Sequence, residues 1–112
     1  MGFNKELLKG STALLLLRQL SEKDMYGYEL IKRVKDSSNG VILLKEGSVY
    51  PMLQALEADG AIISYWEDTD SARKRRYYHI TDNGRARYEK ARAEWKLYTD
   101  SVSLVLESFA AV

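Results

Sequence analysis

The feature that most constrains how this chain can fold is an apolar stripe near its C-terminus. Apolar side chains recur there at alternating spacings of three and four residues, at Tyr88, Ala91, Trp95, Tyr98, Val102, Val105 and Phe109. This spacing predicts a long helix with one continuous apolar seam. A single domain of 112 residues has too small a body to cover both this helix and the apolar residues 7–20, and monomers rarely leave so large an apolar patch exposed. We therefore expect a two-fold homodimer in which residues 81–112 form a C-terminal dimerisation helix.

The order of the other predicted elements sets the fold class. Apolar periodicity predicts three helices and then two strands, at residues 5–20, 26–36, 46–60, 61–66 and 75–80. Asn4 and Thr81 are suitable N-caps for the first and last helices, and Pro51 is expected in the first turn of the third. The expected fold is mostly α with a small β-hairpin. It is a winged helix-turn-helix DNA-binding domain over residues 1–80, followed by the dimerisation helix.

The third predicted helix has one apolar side and one side suited to DNA. The apolar side follows the spacing of a buried helix face, with Val49, Met52, Leu53 and Leu56. The other side presents Ser48, Tyr50, Pro51 and Gln54. Hydroxyl, amide and aromatic groups on a helix can reach base edges and phosphates in the major groove. Taken alone, this side fits an ordinary solvated face equally well.

Cations cluster at the tip of the predicted hairpin, in Arg73, Lys74, Arg75 and Arg76. The net charge of the chain is only +1, yet residues 73–92 hold eight basic residues against two acidic ones. A basic hairpin after a candidate recognition helix is the layout of a wing that contacts phosphates. Double-stranded DNA is therefore the expected partner. The alternative is a winged helix that only binds proteins, which would not need the steep salt dependence of phosphate contacts.

Composition excludes several other classes of protein. The chain has no cysteine and one histidine, His79, so no cysteine nucleophile, disulfide or metal site is expected within one subunit. No enzyme motif and no cofactor-binding pattern occurs, and His79 is expected at the surface or on a phosphate. The apolar residues 7–20 are too short and too polar to span a bilayer. We expect a cytoplasmic protein that does not associate with membranes.

With these residues in view, the chain resembles the PadR family of winged-helix transcriptional repressors over nearly its whole length. The matching blocks are Leu8–Gly10, Tyr26–Leu30, Glu46–Leu53, Leu56–Glu57, Gly60, Arg76–Tyr78 and Ile80–Gly84. The short C-terminal region resembles the subfamily with a single dimerisation helix, which includes multidrug-efflux regulators. The resemblance implies a dimeric repressor on a pseudo-palindromic promoter site. It also implies DNA contacts from Ser48, Tyr50 and Pro51, and backbone contacts from Tyr26 and Tyr28.

Some members of that subfamily hold flat aromatic compounds between the C-terminal helices by means of a tryptophan, and Trp95 stands where such a residue would. The stripe of Leu7, Ser11 and Leu14 on the first helix could lie opposite Trp95 and Thr99 of the last helix across a dimer. A slot of flat apolar surface with a few polar groups suits a small aromatic or drug-like effector. Plain interface core is the alternative role for Trp95.

Overall fold

The computed structural model describes residues 10–71 and 73–108, which form four helices and one small antiparallel sheet. In chain order the elements are α1 Thr12–Leu20, β1 Met25–Tyr26, α2 Gly27–Ser37, α3 Glu46–Ala58, β2 Ile62–Asp68, β3 Lys74–Ile80 and α4 Asp82–Glu107. This order confirms the predicted winged helix-turn-helix with a long C-terminal helix. The expected cap at Asn4, together with Leu7 and Phe109, lies outside the described residues.

The sheet has three strands, whereas a two-stranded hairpin was predicted. Its strand order is β1-β3-β2, and Met25 and Tyr26 pair with Tyr78 and Tyr77 of β3. The added strand forms because Tyr26 has extended backbone angles as the N-cap of α2 and because Met25, the other residue of β1, is fully buried. The wing is therefore joined to the start of α2 by backbone hydrogen bonds.

One hydrophobic core holds these elements together. It is built from α1, α2, α3, the inner face of the sheet and the first turns of α4, through Leu16, Leu17, Leu20, Met25, Leu30, Val34, Leu44, Val49, Leu53, Leu56, Ala61, Ile62, Tyr78, Ile80 and Tyr88. Tyr78 and Ile80 share the buried face of β3, while Tyr77 and His79 are only half-buried. Burial of this apolar area is the main source of stability for a domain of this size.

The third helix differs from the prediction at Pro51. Since α3 begins at Glu46 with Lys45 as its N-cap, Pro51 lies in the second turn and not in the first. The amide groups of Ser48 and Val49 both donate to the Lys45 carbonyl at 2.9 Å, and these bonds form the first turn of α3. Pro51 leaves the Gly47 carbonyl without its helical donor, and both residues are exposed, where water can replace that bond.

The last helix is anchored at its start and largely exposed beyond Tyr88. As predicted, Thr81 is the N-cap, and its hydroxyl accepts the Gly84 amide at 3.0 Å. Gly84 packs so closely on Ala61, the residue before β2, that a Cβ there would overlap the Ala61 carbonyl oxygen. The 26 residues of α4 span about 39 Å, and Tyr88 is the last one that is buried. The C-terminal part of α4 therefore has no cover within the described protomer.

Candidate nucleic-acid interface

The two sides of α3 separate as the sequence predicted. Val49, Leu53 and Leu56 are fully buried, and Met52 is half-buried at their edge. The four residues expected to face DNA, Ser48, Tyr50, Pro51 and Gln54, are all exposed. The structure therefore presents this side of α3 to solvent, and its contact with DNA stays a prediction.

A groove of about 390 Å³ runs between α3 and the sheet. It brings together residues that were predicted separately on the helices and on the wing, namely Tyr26, Tyr50, Gln54, Arg75 and Arg76. Its other lining residues were not predicted as site residues: Gly27, Glu57, Trp66 and Tyr78. Tyr28 is 60% exposed at the start of α2. It is one of five expected DNA contacts that lie outside the groove, with Ser48, Pro51, Arg73 and Lys74.

Tyr50 is the central aromatic residue of this groove. Its ring packs against Gly27, the first residue of α2, yet the residue remains 39% exposed. Partial burial raises the pKa of the Tyr50 phenol above its ordinary value, and the negative charge of Glu46 adds to this effect. The phenol is therefore neutral at physiological pH and can both donate and accept a hydrogen bond.

Arg76 ties the wing to α3. Its Nε donates to Ser64 Oγ at 2.9 Å, and its Nη2 lies 3.3 Å from Glu57 Oε1. The Ser64 hydroxyl in turn donates to Glu57 Oε2 at 2.8 Å, and the guanidinium lies 5.8 Å from the centre of the Trp66 ring. Because Glu57 offsets its charge, Arg76 is not equivalent to the other cations of the wing. The sequence pattern had grouped all four together.

The remaining wing cations differ in how they are held. The Arg75 guanidinium stacks 4.5 Å above the centre of the Tyr26 ring, a favourable cation–π distance. Arg73 and Lys74 are exposed, and neither makes an ion pair with any residue in 10–71 or 73–108. The tip of the wing thus carries cations that are available to phosphates.

His79 is a surface residue, as expected, but one of its ring nitrogens is engaged. Nδ1 lies 2.8 Å from Asp24 Oδ1, and the Tyr65 hydroxyl donates to Asp24 Oδ2 at 2.6 Å. Burial alone would raise the pKa of Asp24, but the hydrogen bonds from Tyr65 and His79 outweigh it and lower that pKa. The hydrogen bond from Tyr65 to Asp24 also raises the pKa of Tyr65 to about 12. This cluster ties the turn before β1 to β2 and β3, so the role of His79 is structural at this nitrogen.

The predicted seam of α4 divides into a buried start and an exposed remainder. Tyr88 was expected at the dimer interface, but it is only 6% exposed and packs in the core of its own protomer, because α4 leaves the body only after its second turn. Beyond it, Trp95, Tyr98, Val102 and Val105 are exposed by 42%, 65%, 36% and 75%, while Ala91 is half-buried. Within residues 10–71 and 73–108, each helix is too short or too polar to span a bilayer.

The arrangement of α3, wing and long terminal helix has counterparts among known proteins. Residues 16–90 match the Transcriptional regulator PadR-like family. The chain belongs to the PadR-like family. As a PadR-like protein it is a DNA-binding transcriptional regulator and not an enzyme, which decides against a winged helix that binds only proteins.

Solved structures of PadR-like and other regulators share this fold. A transcriptional regulator from Clostridium thermocellum is 29% identical, with 88% of this chain and 96% of that chain covered and a TM-score of 0.82. A PadR family regulator from Eggerthella lenta is 33% identical, with coverages of 93% and 88% and a TM-score of 0.81. A PadR-like regulator from Bacillus cereus is 28% identical, with coverages of 94% and 100% and a TM-score of 0.79. The likeness includes the long C-terminal helix, because it covers most of each chain.

A second groove of this PadR-like chain lies between α1 and α4 and has a volume of about 300 Å³. It brings together Leu14 and Trp95 of the predicted effector slot within one protomer, whereas that slot was expected across a dimer. Ala91 and Tyr98 of the seam also line it. Ser11 and Thr99 do not line this groove. Ser11 is buried at 8% exposure, and the Thr99 hydroxyl donates to the carbonyl of Trp95 at 3.0 Å. Leu7 lies outside the described residues, so two of the five predicted slot residues meet in the groove.

Proposed function

We propose that this PadR-like regulator is a homodimeric repressor that binds a pseudo-palindromic promoter site. The observation that carries the proposal is the position of the exposed side of α3 beside the basic tip of the wing. In this arrangement α3 lies in the major groove, where Tyr50 and Gln54 contact base edges and Ser48 and Pro51 approach the backbone. Tyr26 and Tyr28 at the start of α2 contact the sugar-phosphate backbone.

The wing cations contribute unequally to this complex. Arg73, Lys74 and Arg75 neutralise phosphates, whereas Arg76 holds the wing against α3 through Glu57. Phosphate contacts supply much of the affinity and position the protein, while contacts from α3 provide the sequence preference.

The exposed seam of α4 supports the homodimer. Trp95, Tyr98, Val102 and Val105 place apolar surface on one side of a helix that projects from the body. Pairing with the same surface of a second copy would cover this stripe under two-fold symmetry. Residues 81–112 would thus set the separation of the two recognition helices.

A selection of genomic duplexes bound by the purified protein tests the proposal. We expect enriched duplexes with two inverted half-sites whose centres are about 34–36 Å apart, one turn of B-DNA. A reporter gene placed behind such a duplex should be less active when the regulator is present. Enrichment of single half-sites only would contradict the dimer, and an increase in reporter activity would contradict repression.

The groove between α1 and α4 supports a small aromatic effector. Leu14 and Trp95 give it flat apolar walls, and Glu94 and Arg87 provide polar groups. A Trp66→Phe variant leaves Trp95 as the only tryptophan, so its fluorescence reports on this groove. Proflavine, a flat aromatic cation, should quench that fluorescence without DNA, and Leu14→Arg should weaken the quenching because it replaces an apolar wall with a like charge. Quenching that does not respond to Leu14→Arg would contradict this site.

A further inference from the structure

Gly27, the first residue of α2, has no side chain at the point where the Tyr50 ring of α3 packs. Gly27 is buried, and a Cβ built on it would lie 2.6 Å from both Cζ and Cε1 of Tyr50. Real Cβ atoms do not approach other heavy atoms this closely. The Tyr50 ring therefore occupies space that any other residue at this position would fill.

The three atoms nearest to that Cβ all belong to the Tyr50 side chain. A Cβ on Gly10, which precedes α1, would meet nothing within 4 Å. The atoms that a Cβ on Gly27 would strike are the far end of a flexible side chain and not backbone. The backbone of Gly27 has no positive φ, so alanine fits the local conformation. An added methyl group would displace the Tyr50 ring rather than distort α2.

The Tyr50 ring is also not a core residue whose removal would collapse the fold. It is 39% exposed, whereas its neighbours Val49 and Leu53 are fully buried. One side of the ring rests on Gly27, and the ring also lines the groove that contains Gln54 and Arg76. The space left by Gly27 therefore determines how close the Tyr50 ring lies to α2. It also determines which part of the exposed side of α3 the ring covers.

We infer that Gly27 is a positioning residue of the DNA interface, which holds the Tyr50 ring in the orientation used for recognition. This inference rests on the proposed function, because it assigns Tyr50 a contact with DNA. A larger residue at position 27 pushes the ring outward into the space that a DNA strand would occupy. Gly27 contributes to sequence recognition through Tyr50 and leaves the wing cations unaffected.

The test is a double-mutant cycle on a selected operator duplex, with Gly27→Ala, Tyr50→Ala and the double variant. Gly10→Ala is the matched control, since it adds the same methyl group where there is open space and lies outside α3 and the wing. We expect Gly27→Ala and Tyr50→Ala each to weaken operator binding about tenfold, the effect of one lost contact. Gly27→Ala should have no further effect when Tyr50 is already alanine, and Gly10→Ala should bind nearly as the parent does.

Two further measurements separate positioning from a general loss of structure. The salt dependence of binding to an unrelated duplex should be the same in Gly27→Ala as in the parent, because the wing is unchanged. In an NMR titration of protein labelled at tyrosine Cζ, the pKa of Tyr50 should fall toward its ordinary value of 10.0 in Gly27→Ala, because the displaced ring is less buried.

Each contrary result has a definite meaning. The positioning role would be overturned if Gly27→Ala bound the operator with the affinity of the parent. It would also be overturned if Gly27→Ala lowered the operator affinity equally in the parent and in Tyr50→Ala. In either case the affinity of Tyr50→Ala would still report on the DNA contact of Tyr50. Unchanged binding by Tyr50→Ala would overturn both the Tyr50 contact and this inference, and salt-dependent duplex binding would still support the proposed function. A Gly27→Ala variant that unfolds while the double variant folds would show that the ring cannot move, and would also overturn the inference.

Discussion

Removing the free cations at the tip of the wing should change the salt dependence of DNA binding by a calculable amount. Arg73 and Lys74 are exposed, and within the described part of the chain neither has an ion-pair partner. Each phosphate contact on B-DNA contributes about 0.9 to the slope of log affinity against log salt. The Arg73→Ala/Lys74→Ala variant removes two contacts per protomer and four per dimer, so the slope should fall by about 3.6.

The assay is fluorescence anisotropy with a labelled duplex, titrated at several salt concentrations between about 50 and 200 mM. Over this fourfold range, the smaller slope means that the affinity of the variant falls about 150-fold less than the affinity of the parent. Two control variants are measured in the same way. Lys96→Ala removes a cation that pairs with Asp100 on α4 and should not change the slope. Arg76→Ala should change it by less than a free cation does, because Glu57 already offsets its charge.

A slope for the Arg73→Ala/Lys74→Ala variant within about 0.5 of the parent value would refute the reasoning. The tip of the wing would then be a solvated surface, and the asymmetry of charge along the chain would have no role in DNA binding. A loss of affinity with an unchanged slope would also contradict it, because counterion release is the mechanism that links these cations to salt.

Three other perturbations follow from the same structure. Val102→Asp should give monomers in analytical ultracentrifugation and weaken operator binding, because a charge would enter the proposed seam, whereas Leu104→Asp on the opposite side of α4 should leave the dimer intact. Tyr65→Phe should lower the free energy of unfolding by about 1 kcal/mol near neutral pH, since it removes a partly exposed hydrogen bond to a carboxylate. That bond lowers the pKa of Asp24 and raises the pKa of Tyr65 to about 12. The difference in free energy of unfolding between parent and variant, measured with urea, should therefore disappear as the pH falls through the lowered Asp24 pKa or rises through about 12. A difference that is constant with pH would exclude this linkage. Gly84→Ala should destabilise the protein by about 2 kcal/mol or more in thermal unfolding, because its Cβ meets backbone that cannot move aside, and unchanged stability would contradict that close contact.

The sequence alone predicted those features that depend on neighbouring residues. The order of helices and strands, the Thr81 cap and the division of α3 into a buried and an exposed side all follow from local periodicity and backbone chemistry. Val49 and Leu53 lie one helical turn apart, so they share a face wherever the helix is placed. The apolar stripe from Trp95 to Val105 is local in the same sense.

Tertiary structure decided which distant side chains meet. Arg76 pairs with Glu57, and His79 with Asp24, across separations of 19 and 55 residues, and no periodicity in the chain carries that information. Tyr88 continues the spacing of the seam, yet it is buried in its own protomer because α4 leaves the body only beyond it. The contact of Tyr50 with Gly27 likewise exists only because α2 and α3 pack together. Helical period and capping act over a few residues of backbone, whereas the partner of a side chain depends on how whole elements pack around the shared core.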